Sequence, residues 1–482
     1  MGTGAHNYWI LYIPSRRFLM KHLPDSHTIV ALSTPLGSGA IAIIRLSGPD
    51  ALDLINPLLS KSLGEDNIRL ATFAEICEGP GGKTIDQVVV TWFQGPRSYT
   101  GEDIVEISCH CNTLIIDAII SALVRQGARI AEPGEFTLRA FLKGKIDLSQ
   151  AEAVADIINA RTRQSLHQSM RHLEGRLSER LKEISGEVLN YLSLLEINLD
   201  FSEEGIEVMP MAELSRRVTR TAGQLQDLLN TYDYGRYLQE GIQMTILGKP
   251  NVGKSSLLNQ LLQKERAIVS EIPGTTRDYI EANLDIEGLA VKAVDTAGIR
   301  KTEDRIEAIG VERTLQQLDS ADIALAVFEG NRELDGDDRA LLQIIRDHRE
   351  LCQFVVVLNK TDIARNVETE KTLQPLGIPL VALSAKSGEG IGALKKCIKE
   401  SLIGEQSLES EEIVVTSARH KKALAQTIEA LLHADQSLHE GASDEILAVD
   451  IRLAMDHLGE ITGETTSEDV LNHIFGNFCI GK

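Results

Sequence analysis

The chain has 482 residues and carries 70 acidic against 49 basic side chains, a formal net charge of −21. That balance argues against a general nucleic-acid coat. No apolar run approaches the roughly 20 residues needed to cross a bilayer, so no membrane partner is expected. Hydrophobic content of 43% is ample for buried cores, and the length fits about three domains.

The six cysteines (Cys77, Cys109, Cys111, Cys352, Cys397, Cys479) are scattered and form no disulfide framework. They read as reduced thiols of a cytoplasmic protein. At the start, Ser15-Arg16-Arg17-Phe18-Leu19-Met20-Lys21 looks like a twin-arginine export signal, but His22-Leu23-Pro24-Asp25 follows where an apolar segment is required. Residues 1–25 therefore read as a disordered or mis-annotated extension, with Met20 or another codon as the true start, and export is not expected.

From residue 26 to about 147, short apolar runs alternate with Gly/Pro turns. They are Thr28–Leu32, Ala40–Leu46, Val88–Phe93 and Ile104–Ser108, with an amphipathic helix at Leu114–Arg125. This mixture predicts an α+β domain. From Ser149 the period changes. Leu177, Leu181, Ile184, Val188, Leu192, Leu195 and Leu199 step by three and four along a long helix, and a second helical stretch covers Met211 to Tyr237. Arg163, His167 and Arg171 share one helical face within the basic stretch 161–182, which also holds Arg161, Arg176, Arg180 and Lys182. It reads first as a solvated face and second as an RNA-facing stripe.

Between 241 and 405, strand and helix patterns alternate as in a doubly wound α/β sheet. Helical periodicity then returns at Ala418–Leu438, Glu445–Leu458 and Ser467–Phe475. The economical architecture is one discontinuous α-helical domain, 148–240 plus 406–482, with the α/β module inserted between its halves.

The inserted module carries four motifs in order. Gly248-Lys249-Pro250-Asn251-Val252-Gly253-Lys254-Ser255 lies between a strand-like and a helix-like run, the context of a phosphate-binding loop. Its backbone from Asn251 through Ser256 can wrap the β-phosphate, Lys254 can reach the β- and γ-phosphates, and Ser255 can ligate Mg²⁺. Apart from the four, Gly274-Thr275-Thr276-Arg277-Asp278 is the natural first switch, with Thr276 the second Mg²⁺ ligand candidate. Asp295-Thr296-Ala297-Gly298 closes an apolar run, and its Asp can hold Mg²⁺ through water. Asn359-Lys360-Thr361-Asp362 ends another run. Its Asp can accept from both N1–H and N2–H₂ of guanine, a donor pair that adenine lacks. Ser384-Ala385-Lys386 can offer backbone N–H to guanine O6. All four together predict a Ras-like P-loop GTPase domain.

Ile299 stands where many small GTPases place a water-orienting glutamine, so a carboxylate from Glu303, Asp304 or Glu307 is required. Arg277 and Arg300 flank the candidate switches without an assignable finger role. A monovalent cation could replace a finger, with Asn251 as an oxygen ligand.

The phosphate loop, the Gly-Thr-Thr-Arg-Asp switch, Tyr99-Thr100-Gly101-Glu102-Asp103, the segment Pro133 to Phe141 and the terminal Cys479-Ile480-Gly481-Lys482 together resemble the MnmE (TrmE) tRNA-modification GTPases, from about Thr28 to Lys482. The resemblance implies a folate-binding N-terminal domain, a homodimer and a flavin (FAD) protein partner of the MnmG (GidA) type. It also implies tRNA as substrate, modified at C5 of the wobble uridine with an aminomethyl or carboxymethylaminomethyl group, and a reduced tetrahydrofolate as one-carbon donor. GTP hydrolysis is implied to proceed with K⁺-dependent pairing of two GTPase domains.

Carried over, Asn251, Ser270, Ile272 and Thr275 match the K⁺ site. Glu307 matches the catalytic carboxylate, and Arg45, Glu106, Lys145 and Lys482 match folate contacts. Cys479 is a further candidate there. The chain departs from the family's Gly-His-Gly-Gly with Cys109-His110-Cys111-Asn112. A metal reading of that cluster is disfavoured, because adjacent strand residues face opposite ways. The competing reading is a ribosome-assembly or signalling GTPase without a covalent product. A third is a folate enzyme merely regulated by GTP.

Overall fold

The computed structural model describes residues 27–35, 37, 39–200, 210–263, 282–294, 318–404 and 413–482. They fall into two compact units. One comprises residues up to Ala155 with His172–Ala222 and Ala423–Lys482; the other comprises Asp156–Arg171 and Gly223–Lys422. Residues 1–25, read above as an extension, lie outside the described residues.

The first unit contains a six-stranded sheet built from β1 (Ile29–Leu32), β2 (Ile41–Ser47), β3 (Thr72–Cys77), β4 (Thr84–Phe93), β5 (Ile104–His110) and β6 (Arg129–Ile130). The spatial order is β3-β4-β5-β2-β1-β6, antiparallel except for the β1–β6 pair. Period-two alternation buries Val88, Val90 and Trp92 of β4 while Gln87 and Val89 stay exposed. The buried face packs with Ile116, Ile119, Ala122 and Leu123 of helix Thr113–Gln126. That helix starts where Asn112 Oδ1 accepts from Leu114 N at 2.9 Å and stops at Gly127, whose φ of 119° suits a residue without a Cβ.

Two strands and a helix break go beyond the sequence expectation. β3 buries Thr72 and exposes Phe73, so its residue types hide its alternation, and β6 is only two residues long. The basic stretch 161–182 is divided between helices Arg163–Leu173 and Arg176–Asp200, with Gly175 at φ 87° between them. Arg180 pairs with Glu183 at 2.9 Å, and Arg176 lies 3.7 Å from Glu179. Within the first unit, helix Arg176–Asp200 packs on Asp444–Thr462, and Leu181, Val188 and Leu195 of the predicted stripe are buried. The stretch 211–237 forms two helices, Met211–Asn230 and Tyr232–Glu240.

The second unit holds β7 (Ile242–Leu247), β8 (Ala282–Ile286), β9 (Leu289–Val294), β10 (Ile323–Glu329), β11 (Gln353–Asn359) and β12 (Leu380–Ala382). Their order is β12-β11-β10-β7-β9-β8, parallel apart from the antiparallel β8–β9 hairpin. Strands β10 and β11 are almost continuously buried, as expected for a parallel sheet covered on both faces. Strand order reverses at β7, and ligands of open α/β sheets bind at such a reversal, beyond the carboxyl ends of the strands.

The carboxy-terminal helix Glu468–Gly476 is anchored in the first unit by Phe475 and Phe478, which pack with Phe141, Leu148 and Ala151. Gly134, at φ 69°, lies so close that a Cβ there would sit 2.5 Å from the Phe475 carbonyl oxygen. Gly134→Ala is expected to combine left-handed strain with this clash and cost about 2 kcal/mol or more. Urea unfolding of the full chain measures it, and an unchanged midpoint would contradict the packing.

Candidate functional site

In the second unit the phosphate loop leaves β7 at Gly248 (φ 147°), where a Cβ would lie 2.6 Å from Val327 O of β10. Asn251 has φ 66° and Gly253 φ 102°. These left-handed residues turn the loop into the N-terminus of helix Lys254–Gln263, which favours anions. The Lys254 ammonium donates to the carbonyls of Gly248 and Lys249, folding back over its own loop. Ser255 is half-buried and Ser256 exposed at the helix start.

Asn359 ties the motifs together. It is 2% exposed. Its Nδ2 donates to Val252 O at 2.7 Å, and its Oδ1 accepts from Ala385 N at 2.9 Å. One carboxamide thus joins the phosphate loop, the end of β11 and the Ser384-Ala385-Lys386 loop. That last loop is held by Ser384 N donating to Glu389 O and Ser387 N to Ser384 Oγ. Asp362 and Lys386 are exposed beside these buried anchors. Gly253 is required by this tie, since a Cβ there would fall 2.2 Å from Asn359 Nδ2.

Of the predicted nucleotide residues, Asn251–Ser256, Asn359, Lys360, Asp362 and Ser384–Lys386 are therefore gathered at neighbouring strand ends. Ser270, Ile272, Thr275, Thr276, Arg277, Asp295–Gly298, Arg300 and Glu307 lie outside the described residues. Sequence reasoning missed a group of charged side chains around the site. Lys249 lies 2.7 Å from Asp335 and 3.0 Å from Asp338, while Arg332 contacts Glu329, Asp335 and Asp338. The alternation of charges in Glu329–Asp338 was the available signal.

The first unit has its own cluster. Arg45 of β2 and Glu106 of β5 are register partners, and Arg45 Nη2 donates to Glu106 Oε1 at 2.7 Å. The guanidinium carbon stands 5.5 Å from the Tyr99 ring centroid and 5.7 Å from that of Phe136. Its Nη1 donates to Gly481 O at 3.4 Å, and Ser33 Oγ donates to the same carbonyl at 3.3 Å. Lys482 is drawn in beside them. Burial first, then the Arg45 guanidinium, pulls its ammonium below the usual lysine range, with Glu106 opposing.

Lys145 is exposed and donates to Pro96 O at 2.9 Å, so it reaches the loop that carries Tyr99 rather than the Arg45–Glu106 pair. Cys479 is exposed, with its carbonyl accepting from Lys482 N at 3.3 Å. Tyr99 and Phe136 were not assigned roles from sequence, although both lie in segments that carry the family resemblance. In the divergent segment, the His110 ring lies 2.8 Å from the buried Asp86 carboxylate. Burial pushes the Cys109 thiol up to about 11, and Asn112 serves as a helix cap.

A parallel sheet whose reversal point carries a phosphate loop, tied by one asparagine to a guanine-type loop, defines the second unit as a P-loop guanine-nucleotide domain. The chain belongs to the MnmE family of tRNA modification GTPases. Residues 148–479 match the MnmE helical domain, and residues 28–145 match the GTP-binding protein TrmE N-terminus. The first match runs from one helical flank to the other across the nucleotide domain. The chain is 43% identical over 462 residues to the tRNA modification GTPase MnmE of Carboxydothermus hydrogenoformans, covering 94% of this chain and 99% of that protein. It is 41% identical to the proteins of that name from Natranaerobius thermophilus and Geotalea uraniireducens, with the same coverage. Among the described residues, no helix is long and apolar enough to cross a membrane.

Asn359→Ala leaves Val252 O and Ala385 N–H without their buried partner, at about 1–3 kcal/mol for each. The expected result is at least a roughly tenfold weaker GTP affinity by titration calorimetry. Wild-type affinity would show that the tie does not shape the pocket.

Proposed function

We propose that this chain hydrolyses GTP to drive C5 modification of the wobble uridine of tRNA, as a cytoplasmic homodimer acting with a flavin protein of the MnmG type. The observation that carries the reading is similarity along 94% of the chain to proteins named tRNA modification GTPase MnmE, with the described nucleotide motifs gathered at neighbouring strand ends of one sheet. In this reading residues 26–147 bind a reduced folate, 148–240 and 406–482 form the helical domain, and 241–405 form the GTPase domain.

Guanine is selected by Asp362, with Ala385 and Lys386 offering N–H groups to O6 and Lys360 flanking the base. Lys254 and the backbone of Val252–Ser256 hold the phosphates, while Ser270 and Thr275 complete the nucleotide contacts. Ser255 and Thr276 would hold Mg²⁺, Asp295 would hold it through water, and Thr296, Ala297 and Gly298 would join the nucleotide contacts. Asn251, Ser270, Thr275 and the carbonyl of Ile272 would hold K⁺. The position of Ser255 at a helix start and the left-handed Asn251 in the loop are compatible with these roles. When bound, the cations offset the negative charge that develops on the phosphates.

Glu307 acts through water on the attacking water. The family match motivates this assignment, since Ile299 cannot orient a water. Glu307→Ala is therefore expected to slow GTP turnover about 10²- to 10⁴-fold with nucleotide binding retained. Persisting turnover would point to another carboxylate.

The Arg45 cluster suits a reduced folate. Arg45 and Lys482 offer donors, Glu106 offers an acceptor, and Tyr99 and Phe136 supply flat apolar surface for a fused ring. Glu106 can accept from a pterin edge, and the Lys145 ammonium provides a positive charge for a carboxylate. Deleting the gene is expected to remove the C5 modification from tRNA wobble uridine, measured by nucleoside mass spectrometry. Unchanged modification would favour the switch reading without a covalent product.

A further inference from the structure

We infer that Arg332 is a positioning residue that sets how long nucleotide stays bound, by locking the phosphate loop to the guanine loop through a chain of six charged side chains. The inference rests on the reading of this pocket as the GTP site. The chain of contacts starts in the phosphate loop. Lys249 Nζ bonds Asp335 Oδ2 at 2.7 Å and Asp338 Oδ2 at 3.0 Å. Arg332 joins both carboxylates to Glu329 through Nη1–Asp335 at 3.0 Å, Nη2–Asp338 at 3.2 Å and Nε–Glu329 at 2.6 Å. Glu329 then takes the ammonium of Lys360, the residue after Asn359 in the guanine loop.

The network is buried at its phosphate-loop end and opens to water at Arg332 and Asp335, which are 35% and 44% exposed. The side chains of Lys249 and Asp338 are 12% and 3% exposed. Asp335 and Asp338 cap helix Gly336–Asp347 reciprocally, so their backbone is fixed before any lysine arrives. Glu329 and Asn359 are register partners at the ends of β10 and β11, and Gly330 N donates to Asn359 O at 2.8 Å. The bridge therefore crosses the carboxyl ends of β7, β10 and β11.

Charge decides what the bridge does. Lys249, Arg332 and Lys360 balance Glu329, Asp335 and Asp338, so the group offers no net cation to the phosphates. Its contribution is geometric. The buried Asn359 tie joins the same two loops from inside, and the ionic chain joins them along the rim. Arg332 alone touches all three carboxylates. Its planar fork matches several carboxylate oxygens at once, which a lysine cannot do.

The test is release of methylanthraniloyl-GDP from the full chain by stopped flow, beside single-turnover GTP hydrolysis at saturating nucleotide. Arg332→Met is expected to release nucleotide roughly tenfold faster, with the saturated hydrolysis rate within about twofold of wild type. A misfolded variant would lower the hydrolysis amplitude instead. Should Arg332→Met fail to fold by circular dichroism, Arg332→Lys replaces it, and faster release is expected from loss of the fork alone.

A double-mutant cycle between Lys249→Met and Glu329→Gln, at the two ends of the chain, is expected to be non-additive with Arg332 present and additive in the Arg332→Met background. Unchanged release in both Arg332 variants, or additivity in both backgrounds, overturns the inference. If wild type does not bind the fluorescent GDP, the nucleotide reading itself fails. Binding by wild type with unaltered release from the variants sinks only the bridge.

Discussion

The side-chain amide of Asn359 has a donor on one side and an acceptor on the other, and both are spent on backbone. Because the residue is buried, neither bond can be exchanged for water without cost. Much else in the nucleotide unit follows from this constraint. Gly253 must lack a Cβ, the Ser384–Ala385 loop must turn back towards β11, and the phosphate loop must sit at the carboxyl end of β7. The parallel sheet supplies the frame, since β10 and β11 end as register partners at Glu329 and Asn359, β7 ends beside Ala326, and their loops follow side by side.

Much of the fold was legible in the residues. The strands β7 and β11 are mainly apolar runs set directly before recognisable motifs, and the long helix Arg176–Asp200 has an unbroken three–four stripe. Both signals are local. What escaped was non-local or short. β3 buries Thr72, Ala74 and Ile76 and leaves Phe73 exposed, so its residue types show no apolar alternation, and it gains its place only by pairing with β4. The division at Gly175 was hidden because basic residues continue on both sides of it. A single glycine weighs little in a periodic pattern until its φ is seen.

The candidate sites were legible to different degrees for the same reason. Motif residues of the nucleotide pocket lie in contiguous strings whose spacing reflects a loop wrapped around phosphate. Their assignment needed no tertiary knowledge. The Arg45 cluster joins residues from β2, β5, the loop at Tyr99, the helix at Phe136 and Gly481. Composition and period carry no trace of such a meeting, and only the family resemblance pointed to Arg45, Glu106 and Lys482. Tyr99 and Phe136 beneath the guanidinium emerged from the fold alone. The rim of charges between Lys249 and Lys360 went unread for a related reason: the charge alternation of Glu329–Asp338 was there to see, but after a strand such a stretch reads as ordinary surface.

The bond from Arg45 to Gly481 spans 436 positions. At about 5–20 residues per second of ribosomal synthesis, the two partners emerge tens of seconds apart. Throughout that interval the sheet bearing Arg45 can form, but the Gly481 carbonyl that accepts from Arg45 Nη1 and Ser33 Oγ does not yet exist. Newly made chains therefore pass through a period in which the guanidinium and its carboxylate face water, and premature termination upstream of Gly481 would leave them so permanently.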